Sequence, residues 1–357
     1  MLRKFFLAAS TAVFFFSANA QDSTKTLTVS GSVDGYYRYN FNGQANNFTS
    51  FTNSQSSFEL GMASLKAEAT AMSGKVGATV DLGFGRRAEE FSYNDGATTA
   101  GKNGFLTLAA IKQAFVTYAP SSKIKFTAGK FSTHVGYELL DAPLNRNYSM
   151  SYMFTNGPFF HTGLKADITA GQFGFMLGLT NYTDQSTATT NVKNFIAQIS
   201  GSTKNGKLKV YLNYSGFGGS DSGYNPSGLK GLSQFDLVVL GTISSKFNIG
   251  YNGTVQSRKP KTGSSGSWIG NALYLNYDPT AKVGLTLRSE YISDDKTIYY
   301  GTKNIFANTL SVNCKVGPLV IIPELRFESA QSEIYLKSNG SGTKSTVSGL
   351  VAAVYKF

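Results

Sequence analysis

Val76-Gly77-Ala78-Thr79-Val80-Asp81-Leu82-Gly83-Phe84 carries an apolar side chain at every second position, with Gly, Thr or Asp in between. A period of two belongs to an extended strand with one oily and one wet face. The pattern recurs in Phe173, Phe175, Leu177 and Leu179, and in Leu208, Val210, Leu212 and Tyr214. Further on, Val283, Leu285, Leu287 and Tyr291 alternate with Thr286, Arg288 and Glu290, and Leu319, Ile321, Leu325 and Phe327 alternate with Glu324, Arg326 and Glu328.

Reading outward from these stretches predicts sixteen strands, near 26–41, 57–71, 75–84, 110–118, 124–132, 160–170, 172–182, 193–202, 207–216, 233–244, 247–256, 268–278, 283–293, 304–316, 319–329 and 346–357. Many approach the roughly 9–11 residues that a tilted strand needs to cross a bilayer. Even-numbered strands are followed by tight turns such as Ser73-Gly74, Lys204-Asn205-Gly206 and Gly317-Pro318, and odd-numbered ones by longer excursions rich in Ser, Gly, Asn and Thr. Short turns on one side, long loops on the other and an even strand number describe an outer-membrane barrel. The expected fold class is therefore all-β, a transmembrane antiparallel β-barrel of sixteen strands. Beyond the first twenty residues no apolar run approaches the ~18 residues of a membrane helix, which excludes a helical bundle.

A soluble double-sheet sandwich would share the alternation and the turn signals. It would turn its apolar side chains into a dry core, however, and sixteen strands without a disulfide would usually be divided among domains. The barrel also accounts for 47 Phe and Tyr residues, because aromatic side chains ring the two membrane interfaces. Closure follows physically, since an open edge in lipid strands backbone N–H and C=O groups.

Residues 1–20 begin with Arg3 and Lys4, continue with an apolar stretch from Phe5 to Phe16 and end on Ala18-Asn19-Ala20. This predicts a secretory signal peptide, with 21–357 forming one barrel domain. The lone Cys314 excludes an internal disulfide and, by alternation with Leu310 and Val312, is expected to face lipid. Without Arg3 and Lys4 the chain keeps 31 basic and 21 acidic side chains, a net charge of about plus ten. The lysines are scattered and no nucleic-acid module is present, so the excess is read as solvated surface or as a bias of a pore toward anions, with no nucleic-acid partner. Val354-Tyr355-Lys356-Phe357 closes a strand on alternating aromatics. It looks like the C-terminal signature of outer-membrane barrels, which makes Tyr355 and Phe357 the expected contacts of the barrel assembly machinery.

Segment 133–159 differs from the other loops. It carries Leu139, Leu140, Met150, Met153, Phe154 and several tyrosines where the others are polar. A loop so apolar must pack against something, and as the third long loop of a sixteen-stranded barrel it is expected to fold inward and constrict the lumen.

Here the chain resembles a known family, the OmpL-like β-barrel porins. The resemblance is carried by Gly129-Lys130-Phe131, by Gly136-Tyr137-Glu138, by Asp141-Ala142-Pro143-x-Asn145-x-Asn147-Tyr148-Ser149-x-Ser151, and by Gly157-Pro158-Phe159-Phe160-His161-Thr162-Gly163. These motifs span about residues 111 to 164, while the strand-and-loop architecture matches over nearly the whole chain. The resemblance implies an outer-membrane, porin-like barrel; it assigns no binding residue and defines no solute.

A barrel hydrolase is the rival class. His134 and His161, the only histidines, flank a loop containing Asp141, Ser149 and Ser151, but no nucleophile elbow frames either serine and two histidines make no metal cage. No cofactor or metal is expected. Gly83-Phe84-Gly85-Arg86-Arg87-Ala88 imitates a dinucleotide fingerprint, but it is expected to be a strand end running into a loop, with no helix following. A gated transporter would need about 22 strands and a plug.

Strand parity points Lys165, Asp167, Lys207, Lys209, Arg288, Glu290, Glu324, Arg326 and Glu328 into the lumen. Glu138, Asp141, Arg146, Tyr148 and His161 join them as constriction candidates. Charges of both signs facing each other across a narrow opening would set up a transverse field favouring small polar solutes, although some of these charges would simply pair across the wall. The expected function is passive diffusion of small hydrophilic solutes through the outer membrane, in contact with its lipids and lipopolysaccharide. A surface-binding barrel with a blocked lumen shares every fold-level feature, and monomer and homo-oligomer both remain open.

Overall fold

A computed structural model of the chain describes residues 25–92, 106–188, 191–218, 228–294, 296–297 and 299–357. The predicted signal peptide lies outside the described residues.

The main sheet comprises β1 (Thr26–Asn40), β2 (Ser57–Ala71), β3 (Val76–Phe84), β4 (Ile111–Ser121), β5 (Ile124–Ser132), β6 (Phe160–Ala170), β7 (Phe173–Thr180), β8 (Asn194–Ser202), β9 (Leu208–Gly218), β10 (Leu229–Thr242), β11 (Phe247–Pro260), β12 (Gly266–Tyr277), β13 (Val283–Ser293), β14 (Asn304–Val316), β15 (Leu319–Ala330) and β18 (Ser345–Lys356). They form one closed antiparallel barrel of sixteen strands in sequence order, with β18 returning to pair with β1. The predicted strands lie where expected. β10 begins four residues earlier and β11 runs four residues further, to Pro260, than the alternation indicated. The reason is that the two strands keep pairing beyond the point where Gly and charged residues break the apolar period.

Not anticipated are a small hairpin of β16 (Tyr335–Leu336) and β17 (Gly342–Thr343), and short helical turns at Arg86–Phe91, Ala142–Leu144 and Tyr152–Asn156. The first of these corrects the reading of Gly85-Arg86-Arg87: a helix does follow the strand, starting at Gly85 with φ 123°. It spans only six residues and leads to an antiparallel neighbour, so no βαβ unit is formed.

Alternation gives the wall two solvents. Leu164, Ile168, Leu177, Leu179, Ile199, Leu212, Leu310 and Leu325 stand exposed on the outside, whereas Asn213, Asp236, Thr254, Arg288 and Glu324 on the other face are buried. A belt of exposed aliphatic side chains encircling a protein far exceeds the patch that water tolerates, and it suits hydrocarbon. No described helix is long and apolar enough to cross a membrane; the strands do so.

The family-like motifs Gly129-Lys130 and His161-Thr162-Gly163 acquire a physical cause here. Gly129 on β5 sits opposite Gly163 on β6. A Cβ on Gly129, whose φ is +130°, would run into the Ala114 carbonyl, and one on Gly163 into the Leu179 carbonyl. Only glycine lets the strands close up at the foot of segment 133–159. We expect Gly129→Ala and Gly163→Ala each to lower the fraction of refolded chain that migrates as a compact species in unheated SDS gels. Gly218→Ala, where a Cβ meets nothing within 4 Å, should leave that fraction unchanged; equal yields for all three variants would discard the explanation.

Candidate functional site

Segment 133–159 has little regular structure, so its backbone N–H and C=O groups need partners from elsewhere. Inward-facing side chains of the wall supply them. Carboxylates accept its amides: Glu324 on β15 takes Tyr148 N at 2.9 Å, Glu290 on β13 takes Tyr152 N at 2.8 Å, and Asp236 on β10 takes Gly136 N at 2.9 Å. Within the segment Glu138 takes Ser151 N at 2.7 Å. Guanidinium groups donate to its carbonyls. Arg288 reaches Ser149 O at 2.7 Å, Arg326 reaches Met150 O at 3.1 Å, and Arg87 reaches Tyr148 O at 2.6 Å.

The charges that grip the backbone also neutralise one another. Arg288 pairs with Glu138 at 2.6 Å and with Glu290 at 2.8 Å; Arg326 pairs with Glu290 at 3.2 Å and with Glu328 at 3.0 Å. Hydroxyls extend the set, with Tyr148 donating to Asp34 on β1 at 2.5 Å and Tyr152 donating to Glu328 at 2.7 Å. Charges this deep persist only when paired and hydrogen-bonded. Around them Phe51, Met62, Met150, Phe154, Phe159 and Phe160 form an apolar cluster, while Met153, Trp268 and Tyr274 belong to a second one.

The twelve site candidates therefore fall into two sets. Glu138, Tyr148, His161, Arg288, Glu290, Glu324, Arg326 and Glu328 are buried. All but His161 belong to the network just described, and its arginines and carboxylates stand beside each other rather than on opposite sides of an opening. Asp141, Arg146, Lys165 and Asp167 keep side-chain exposures of 23%, 28%, 22% and 31%. Asp141 bonds Lys112; Arg146 chelates Asp278 at 2.9 and 3.1 Å; Lys165 pairs with Asp167 at 3.2 Å.

Sequence reading missed Asp34, Arg87, Lys112, Asp236 and Asn252, which hold the segment from β1, the Arg86–Phe91 helix, β4, β10 and β11. A charge or amide at an inward parity position was the available signal for Asp34, Asp236 and Asn252.

His134 and His161 do come together, with ring centroids 5.5 Å apart. Their partners are Tyr214 O and Thr133 Oγ1. Ser149 accepts from Arg288, and Ser151 caps the helix at Phe154 N. Each member of the conceivable Ser, His and Asp set thus bonds outside that set.

Burial, reinforced by Lys165, pushes the His134 imidazole down to about 4. An undocked His134 titrates near ~6.5. Between these values the undocked state takes up a proton that the docked state refuses, so docking is fully favoured above about pH 6.5 and weakens as pH falls toward 4. Limited proteolysis within 133–159 should accelerate over that interval, and His134→Asn should flatten the dependence. Arg288→Gln should have a larger effect, because it leaves Glu138 buried without its cation and Glu290 with Arg326 alone, at a cost of about 3–5 kcal/mol. A thermal unfolding midpoint within error of the parent's would rule that out.

The model of the family described as "Putative beta-barrel porin-2, OmpL-like" matches residues 26–357. No curated protein matches the chain in sequence. Among solved structures the fold is similar to the outer membrane channel DcaP of Acinetobacter baumannii, with a TM-score of 0.63 and 13% identity over 94% of this chain and 99% of that one. It is similar to in-vitro folded OmpT of Vibrio cholerae, solved in trimer form, with a TM-score of 0.59 and 13% identity over 94% and 100%. It also resembles an anion-selective porin from Comamonas acidovorans, with a TM-score of 0.63 and 12% identity over 93% and 100%. These likenesses establish the architecture, and with the family match over almost every residue the chain belongs to the OmpL-like β-barrel porins and is an outer-membrane porin.

Proposed function

We propose that small hydrophilic solutes diffuse passively between segment 133–159, acting as the constriction, and the β5–β9 side of the wall, with a weak preference for anions. The observation that carries this reading is asymmetric anchoring. The ion pairs that hold the segment lie on β13 and β15, and most of its other polar anchors on β1, β4, β10, β11 and β14, whereas on β6 and β9 its contacts are neutral hydrogen bonds, Thr133 with His161 and His134 with Tyr214 O. The inward positions of β5, β6 and β9 carry Lys125, Lys165 and Lys209, which water reaches. Only Lys165 of these three has a carboxylate partner among the described residues. Two unpaired cations beside a low-dielectric wall raise the local concentration of anions.

The network around Arg288 and Arg326 is structural in this reading, and no catalytic step is assigned to it or to the histidines. The mature chain, 21–357, would meet the assembly machinery through Tyr355 and Phe357, contact lipid and lipopolysaccharide along its outer face, and be able to assemble with copies of itself as the Vibrio OmpT structure does.

In a planar bilayer under a salt gradient, the refolded porin should give steps proportional to salt and a reversal potential of the sign for anions. Replacing Lys125, Lys165 and Lys209 together by Glu should move that potential toward cations. An unmoved potential would assign selectivity to other residues.

A further inference from the structure

On the long-loop side of segment 133–159 the structure encloses a second feature, a cavity of about 250 Å³ between the Tyr152–Asn156 helix, β10 and β11. Gln234 and Gln256 line it, only 1% and 2% exposed. The acceptors of this amide pair are engaged. Gln256 Oε1 receives Trp268 Nε1 at 3.2 Å and Tyr299 OH at 2.5 Å, and Gln234 Oε1 receives Gln256 Nε2 at 2.9 Å. One donor is left over: Gln234 Nε2 is buried with no acceptor.

Arg258 lines the same cavity, its guanidinium 4.2 Å from the Tyr299 ring centroid. Its Nε is buried without an acceptor, and no carboxylate among the described residues pairs with it. Tyr182, Leu229 and Leu232 give the cavity an apolar side. Asp184 also borders it, with Oδ1 receiving the Phe159 and Phe160 amides at 2.6 and 3.0 Å.

Two buried donors, Gln234 Nε2 and Arg258 Nε, therefore lack acceptors beside a cation and an apolar surface, and the Thr183 hydroxyl in the same lining is also unpartnered. A polyol brings as many donors as acceptors and would meet the guanidinium without an opposite charge. A carboxylate brings acceptors alone and fits the planar fork of an arginine.

We propose that this cavity is a saturable binding site for small carboxylate solutes on the outer side of the constriction, with Arg258 and the Gln234 amide as its donors. The proposal deepens the diffusion reading and rests on it for its purpose, though binding can be measured without current. Trp268 is the sole tryptophan of the chain and touches Gln256, so its fluorescence reports on the cavity.

The full mature porin, refolded in detergent, is titrated with sodium succinate, and with sodium chloride and glucose as controls. We expect a saturating change with succinate alone. Arg258→Gln should weaken it by roughly tenfold or more, the value of one charge-assisted hydrogen bond, and Lys204→Gln, in a distant turn, should leave it intact. Should Arg258→Gln fail to fold, Gln234→Glu sets a like charge against the solute and must weaken binding equally. A linear or absent response, an unchanged affinity in the variant, or saturation by glucose overturns the site.

The same succinate added to the long-loop side of a bilayer separates the two readings. Current with no saturable succinate response keeps diffusion and removes the site. Saturable fluorescence with no current keeps the site and removes diffusion.

Discussion

Irregular backbone cannot be buried unless its amides and carbonyls find partners, and the interior of this barrel is organised around that requirement. Segment 133–159 carries too few helical turns to satisfy itself. The wall answers with carboxylates where the segment shows N–H and with guanidinium groups where it shows C=O. Glu290 does both tasks at once, accepting Tyr152 N while pairing with Arg288 and Arg326. The mutual pairing keeps each charge tolerable in a place that neither hydrocarbon nor bulk water reaches, so the ion pairs and the docked segment depend on each other.

Much of the barrel was legible because the cause is local. Lipid on one side and polar groups on the other force a period of two, and any ten residues display it. Tight turns were legible for the same reason, since Ser73-Gly74 or Gly317-Pro318 declares itself within a few positions. Parity also sent Arg288, Glu290, Glu324, Arg326 and Glu328 to the correct face. It could not say what they meet there. Tyr148 and Glu324 stand 176 positions apart, and no short-range pattern links them. A list of inward charges reads equally well as a ring around water or as a set of anchors. The apolar character of Met150, Met153 and Phe154 announced that the segment was buried, without naming the wall that held it. The Arg86–Phe91 helix escaped notice because six residues are too few to establish a helical period.

On the diffusion path proposed, selectivity and stability draw on different charges. Lysines on β5, β6 and β9 remain within reach of water, whereas the arginines most conspicuous in the sequence are committed to holding a loop. Along that path, solute preference would drift through substitutions at the former without disturbing the latter. Arg87, Arg288 and Arg326 offer no such freedom, because each serves backbone and carboxylate together.

The seam of the cylinder has a consequence for how it is made. β1 pairs with β18, so Val33 lies against Tyr355, and the Gly31 amide donates to the Phe357 carbonyl at 3.0 Å while the Phe357 amide donates back at 3.0 Å. Every other pair of neighbours in the ring is consecutive in the chain, save for the small β16–β17 hairpin between β15 and β18. Hairpins can form early and in any order, each closing a loop far shorter than the chain, but the seam joins segments separated by nearly the whole polypeptide and bears the largest entropic cost of closure. Until it forms, two unpaired edges exist together. The molecule must pass through an open, curled sheet with adhesive margins, and the time spent in that state decides whether its edges meet each other or those of another chain.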